Sequence, residues 1–243
     1  MKIAAIIQAR MSSTRLPGKV LMDVGGETVL ARVVRRLRRA ALIEEIVVAT
    51  TSSTADHLIV RECQRLSVRV FRGEENDLLD RYYHAAQGIS AEGIVRITSD
   101  CPLIDPEITD NTIRSFQECR PDYASNALQR TYPRGLDTEV MTWDALARAW
   151  REARLSYQRV HVTPYIYENP DRFDILPVKG EADYSSHRWT LDTAEDLAFI
   201  RAVYDRVDND DSFSWRDVLA LLEREPELVE LNRDVMQKAL HEG

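Results

Sequence analysis

No apolar run in these 243 residues approaches the ~20 that a membrane-spanning helix needs, so no membrane partner is expected. Cysteine is scarce: Cys63, Cys101 and Cys119 are odd in number and lack metal-ligand spacing. That argues against a disulfide framework and leaves buried or half-buried free thiols in a reducing cytoplasm as the expectation. The opening MKIAAIIQAR is too short for a signal sequence and lacks a cleavage site, which again points to the cytoplasm. Excess positive charge is missing too. A net charge of −8 excludes a general affinity for DNA or RNA phosphates. Glycine, nine residues in all, is absent where nucleotide fingerprints require it. The loop after the first apolar run holds only Gly18, so there is no G-x-G-x-x-G. Lys19 is followed by Val20 and lacks the first glycine of a Walker loop.

What stands in that loop is cationic. The stretch IIQARMSSTRLPGK carries Arg10, Arg15 and Lys19, with Ser12, Ser13 and Thr14 between them, and Met1 to Met22 contains no carboxylate. Guanidinium forks each take two phosphate oxygens, a lysine adds a point charge, and hydroxyls with turn N–H groups form an anion-binding concavity. A triphosphate grip fits this pattern; on composition alone, a solvated loop of scattered cations fits as well.

Hydrophobic residues at 44% and charged residues at 30% describe a globular chain with a substantial core. KIAAII (2–7), EIVVATT (45–51), VRVF (68–71) and GIVRIT (93–98) read as buried strands, continuous rather than alternating. Helical period separates them. TVLARVVRRLRRA places Val29, Leu30, Val33, Val34 and Leu37 on an apolar face, with Arg32, Arg35, Arg36, Arg38 and Arg39 read as a solvated one. Residues 54–66, capped by Ser53 or Thr54, and residues 77–89 are also helical, and another helix starts near Pro106. Alternating strand and helix implies a mainly parallel α/β sheet with helices on both faces. Ligands of such sheets bind at the carboxyl ends of the strands, where the cationic loop and Asp100 both fall. The pattern loosens after Asp122, with DYASNA, DTEVMTW and RFDILPV (172–178) as strands. One domain over 1–243 is expected, with a small inserted arm around 128–188 and a helical segment over 193–243, LVELNRDVMQKAL included.

ARMSSTRLPGK resembles the nucleotide-binding signature of the sugar cytidylyltransferases that activate 3-deoxy-manno-octulosonic acid and acylneuraminates with CTP. IIQARMSSTRLPGKVL, VVATT, VFRGEENDLLDRYY, RITSDCPLIDP, RGLDTEV, HVTPYIYENP and RWTLDTAEDL recur in family order over residues 3 to about 200. They are most similar to the spore-coat polysaccharide branch. The resemblance implies a glycosyltransferase-A-like nucleotidyltransferase sheet, Mg²⁺ as cofactor and a homodimer. It makes Asp100 and Asp192 the metal carboxylates, and Arg10, Lys19 and Asp100 catalytic. Arg10, Ser12, Ser13, Arg15, Lys19, Arg72 and Asp100 then bind nucleotide, and Asp137 and His161 face the acidic sugar. Read from the residues alone, Asp100 is also a turn or cap aspartate, and Asp192 an N-cap with Glu195 completing a capping box, unless Asp192 takes the metal and Thr193 caps. Thr98, Ser99 and Cys101 depart from the octulosonate enzymes, a departure that touches the sugar more than the metal.

The leading expectation is therefore CTP-dependent activation of a keto-deoxy sugar acid to a CMP-sugar, with pyrophosphate released, for surface or coat polysaccharide. The alternatives are a glycosyltransferase using a nucleotide sugar and a non-catalytic nucleotide-binding coat-assembly protein. Asp100-Cys101-Pro102 lacks the Asp-x-Asp of many glycosyltransferases.

Overall fold

Strand β1 (Ile3–Gln8) is apolar at every position but its last, because helices cover both of its faces. Side chains alternate along a strand, so Ile3, Ala5 and Ile7 enter one core while Ala4 and Ile6 enter the other. The computed structural model describes residues 1–238. After β1 come β2 (Asp23–Val24), β3 (Glu27–Thr28), α1 (Val29–Leu37), β4 (Glu45–Thr51), α2 (His57–Arg65) and β5 (Arg69–Gly73). The middle of the chain forms α3 (Leu78–Gly88), β6 (Gly93–Thr98), α4 (Pro106–Cys119), β7 (Tyr123–Ser125), β8 (Glu139–Thr142) and α5 (Trp143–Glu152). The remainder is α6 (Ser156–His161), α7 (Pro164–Tyr167), β9 (Ile175–Pro177), α8 (Ala194–Arg206), α9 (Trp215–Arg224) and α10 (Glu227–Glu230).

Seven strands form the main sheet in the order β5-β4-β1-β6-β8-β7-β9. The first four are mutually parallel, as expected, while β8 runs antiparallel to both β6 and β7. From β1 the chain proceeds outward to β4 and β5, then returns to place β6 on the other side of β1. The carboxyl ends of β1 and β6 therefore flank a topological switch point, the crevice where such sheets take ligands. The span 128–188 includes two strands of this sheet, β8 and β9, together with the helices α5 to α7. A third core, built on α8 and α9, packs Trp189, Leu191, Leu103 and Leu136 beside that crevice.

Several local expectations change in the fold. Arg32 and Arg36 are not on a solvated face: they are 1% and 0% exposed. Arg36 donates to the carbonyls of Ile104 (2.7 Å), Asp211 (2.9 Å) and Phe213 (3.1 Å) and lies over the Phe213 ring. Arg32 donates to the carbonyls of Val24, Gly25 and Asn209. The carbonyls of Gly25, Ile104, Asn209, Asp211 and Phe213 lie in irregular segments and that of Val24 ends the two-residue strand β2, and a buried carbonyl needs a donor. Neither Ser53 nor Thr54 caps its helix by a side-chain bond. The helical turn ends at Glu230, so residues 231–238 are turn and irregular chain; the end of the expected helix, 239–240, lies outside the described residues. Cys63 and Cys101 are buried, but Cys119 is exposed at the end of α4. Among the described residues no helix is long and apolar enough to cross a membrane.

The two kinds of arginine on α1 separate in a stability measurement. Arg36→Ala leaves its buried carbonyls without donors and should cost ~3–5 kcal/mol, as breaking a buried charged network does. Arg38→Ala, on the exposed side, should cost less than ~1 kcal/mol. Urea unfolding reads both; equal losses would return Arg36 to the solvated class.

Candidate active site

The loop after β1 is shaped by a carboxylate from elsewhere. Asp56, 2% exposed, accepts from Met11 N (2.8 Å) with one oxygen and from Thr50 Oγ1, Thr51 N and Thr51 Oγ1 with the other. Met11 O in turn accepts from Ser13 N and Gly18 N, both at 2.9 Å, folding the loop back on itself. Gly18 sits at φ 72°, in the left-handed region, and releases the chain into a short turn at Lys19–Leu21. Lys19 thereby points inward.

The lysine ammonium has three hydrogens and meets three oxygens. Its Nζ lies 2.8 Å from Asp100 Oδ2, 2.8 Å from Asp192 Oδ1 and 2.7 Å from the Leu191 carbonyl. Asp100 follows β6, and its own carbonyl accepts from Leu191 N at 2.8 Å, so the segment carrying Asp192 is pinned alongside. The second oxygen of Asp192 accepts from Arg15 Nη2 (2.8 Å) and Arg188 Nη2 (2.9 Å). Arg188 grips Asp196 through both carboxylate oxygens at 2.9 Å, and Asp196, fully buried, also accepts from Asp192 N and Thr193 N. The N-cap of α8 is thus Thr193, boxed with Asp196 rather than Glu195, which frees the Asp192 side chain to face the crevice.

Burial pushes the Asp100 carboxyl upward, but the Lys19 ammonium and its hydrogen bond overcome this and hold it at about 2. Desolvation pulls Lys19 down, and the two aspartates raise it above its ordinary value. Burial and the Asp100 charge push the Cys101 thiol well up, so it stays protonated and is not a nucleophile. The donors round Lys19 are hard oxygens already gathered about a positive centre, a set that suits a divalent cation such as Mg²⁺. Among the described residues no cluster of three or more His, Cys, Asp or Glu is arranged for a metal. Asp100 and Asp192 would therefore supply two ligands and leave the rest to water and substrate oxygens.

The remaining expected residues lie around this cluster. Arg10 is exposed, and among the described residues its side chain has no hydrogen-bond or ion-pair partner. Ser12 donates to Glu75 at 3.1 Å, and Ser13 Oγ accepts from Leu16 N at 3.4 Å within the loop. Arg72 donates to the carbonyls of Thr51 (2.9 Å) and Ser53 (2.8 Å), on the edge next to the cationic loop. Asp137 is paired through both oxygens with Arg130. His161 ends α6, in the layer that packs on α3, and Val162 after it takes φ 72°. Asp56, Arg188, Asp196 and Arg130 escaped sequence reasoning. The signal for Asp196 is the acidic position three residues after Thr193, which competes in the sequence with Glu195 three residues after Asp192.

A family model described as cytidylyltransferase matches residues 4–234. The chain is 38% identical over 247 aligned positions to uncharacterized protein MJ1063 of Methanocaldococcus jannaschii, covering 100% of this chain and 99% of that one. It is 33% identical to the spore coat polysaccharide biosynthesis protein SpsF of Bacillus subtilis, covering 93% of this chain and 95% of the relative. Among solved structures, it superposes on a cytidylyltransferase from Leptospira borgpetersenii with a TM-score of 0.91 and 35% identity, over 98% of this chain and 100% of that chain.

Lys19→Gln removes the cation between the two carboxylates and leaves burial, opposed only by hydrogen bonds from Thr98 and the backbone, acting on Asp100. Its pKa should rise from about 2 to above the ordinary carboxylate range. Because the folded value is depressed, the stability Asp100 contributes is present above the unfolded value and disappears as pH falls from about 4 towards 2. Carboxyl-carbon NMR titration of wild type and Lys19→Gln reads the shift; an Asp100 that still titrates low would show that something other than Lys19 holds it.

Proposed function

The chain belongs to the cytidylyltransferase family, and from that premise we propose that it transfers the cytidylyl group of CTP to an oxygen of a keto-deoxy sugar acid, releasing pyrophosphate, in the making of a surface polysaccharide. The observation that carries this reading is the meeting of Lys19 with Asp100 and Asp192, 81 and 173 residues away, at the switch point of the sheet. A cationic loop beside two carboxylates is what a triphosphate with its counter-cation requires.

In this reading Arg10, Arg15 and Lys19 hold the β- and γ-phosphates, with Ser12 and Ser13 lining the loop and Arg72 on the side of the base. The acceptor hydroxyl attacks the α-phosphorus in line: its oxygen–phosphorus bond forms, the bond to the β-phosphate oxygen breaks, pyrophosphate departs and the hydroxyl proton is released. Mg²⁺, when bound at Asp100 and Asp192, supplies neutralisation of charge on the α-phosphate and the leaving group. Asp100, held at about 2, stays an anion at neutral pH and is too weak a base to take the acceptor proton. Its work is charge and position. Asp137, oriented by Arg130, and His161 are assigned to the sugar side. The homodimer assignment rests on the 128–188 span, where α5 to α7 depart from the sheet pattern. Light scattering at micromolar protein should give twice the chain mass, and a monomer would remove it.

Arg10→Ala or Lys19→Ala should weaken CTP binding by ~1.5–3 kcal/mol, the worth of a charged hydrogen bond. Asp100→Asn should keep shape and folding yet lose roughly two to three orders of magnitude in turnover. Asp192→Asn should behave alike, and the double variant should lose far less than the sum, as groups acting as one unit do. Pyrophosphate release from CTP with a panel of keto-deoxy acids and sugar phosphates measures all of these. Full activity in EDTA, or additive losses, would contradict the shared cation.

A further inference from the structure

In a 2-keto-3-deoxy acid the carboxylate hangs on the same carbon as the anomeric hydroxyl. If that hydroxyl attacks next to Asp100 and Asp192, the acceptor's own negative charge must lie within a few bonds of theirs. Nearby cations are needed to offset that repulsion, and most of those present are already committed. Lys19 and Arg15 serve the aspartates, Arg188 serves Asp192 and Asp196, and Arg130 is taken by Asp137.

Arg134 is not committed. Among the described residues its guanidinium has no hydrogen-bond or ion-pair partner. Its backbone, by contrast, is fixed to the segment that delivers Asp192. Arg134 N donates to His187 O at 3.0 Å, Trp189 N donates to Arg134 O at 2.7 Å, and Arg134 and Arg188 form a parallel bridge. Gly135 makes this approach possible: it lies at φ 113°, and a Cβ there would come within 2.6 Å of the Trp189 backbone. The titratable groups around Arg134 are Arg130, Asp137, Arg188 and the neutral Cys101 thiol, beside Asp100 in sequence. Burial, then the Arg130 charge, pulls its pKa below the ordinary value, so its charged form lacks the counter-charge it needs. An arriving anion would supply it.

We propose that Arg134 is the anchor for the acceptor's carboxylate, gripping it with its guanidinium fork while the Arg130–Asp137 pair frames the position. This subsite rests on the acidic-acceptor reading above. It also gives the RGLDTEV stretch a division of labour: arginine for the acid, glycine for the close approach, aspartate held by Arg130. The planar fork matches a carboxylate, so charge alone should not replace it.

The test compares wild type, Arg134→Gln and Arg134→Lys by pyrophosphate release from CTP with a panel of 2-keto-3-deoxy acids of increasing length. The C1 amide of whichever acid is used serves as competitor, and calorimetry reads CTP binding. Arg134→Gln should raise KM for the acid roughly ten- to a hundredfold, with CTP affinity and Tm unchanged, and Arg134→Lys should recover only part of it. On wild type the amide should bind as poorly as the acid does to Arg134→Gln. Equal KM for the acid in wild type and Arg134→Gln, an amide as tight as the acid, or a parallel loss of CTP affinity overturns the subsite alone. Wild type that uses a neutral sugar or a sugar phosphate but no keto-deoxy acid overturns the acidic-acceptor reading and the subsite with it. Should Arg134→Gln not fold, Arg134→Lys and the amide still decide the matter.

Discussion

One ammonium group holds the crevice together. Lys19 is shared between Asp100 and Asp192, whose carboxylates would otherwise repel each other in a partly desolvated place, where charges interact more strongly than in water. Its third hydrogen goes to the Leu191 carbonyl, so the backbone that carries Asp192 is held by the same atom as the side chain. The first loop, the end of the fourth parallel strand and the approach to α8 thus meet at a single positive centre. In the reading proposed above that centre would meet the substrate's phosphates and counter-cation, and the chain orders it beforehand.

Around the ammonium, arginines do much of the structural work. Arg32 and Arg36 leave α1 to reach the β2 turn at residues 24–25 and the irregular segments at 104 and 209–213, supplying donors to buried carbonyls. They fasten the α8–α9 layer to the first half of the sheet. Asp105 does the complementary job: one oxygen caps α4 and the other accepts from Trp215 N at the start of α9. Arg188 and Asp196 extend the arrangement to the Asp192 backbone. A chain rich in charge at 30% spends part of it on joints between layers.

Much of this was legible in the residues. β1, β4 and β6 announced themselves as continuous β-branched runs because both faces are covered, and the cation-only loop stood out against an acidic background. Asp100 fell at a strand's end, where the parallel topology puts ligands. What periodicity could not show is which partner a charge finds far along the chain. The arginines of α1 share one helical pattern, yet Arg36 is buried and Arg38 is exposed, and the difference lies in carbonyls 68 and more residues away. Asp56 read as one more residue of a helical run, since its bond to Met11 spans 45 positions. Asp137 reads from the sequence as a sugar contact or a structural hydrogen bond alike, and its pairing with Arg130 follows no periodicity that would separate the two.

The distance in sequence between Lys19 and Asp192 also sets an order of events. Loops that close over 173 residues form late, because the chain entropy lost must wait for nearer contacts to reward it. A nascent chain can pair β1 with β4 and then β6 well before the segment Trp189–Asp192 has been synthesised, and domains assemble largely in the order their chain emerges. Until that segment docks, Lys19 has one carboxylate instead of two. The cluster of Lys19, Asp100 and Asp192 is therefore completed at the end of folding, after the parallel strands around it are in place.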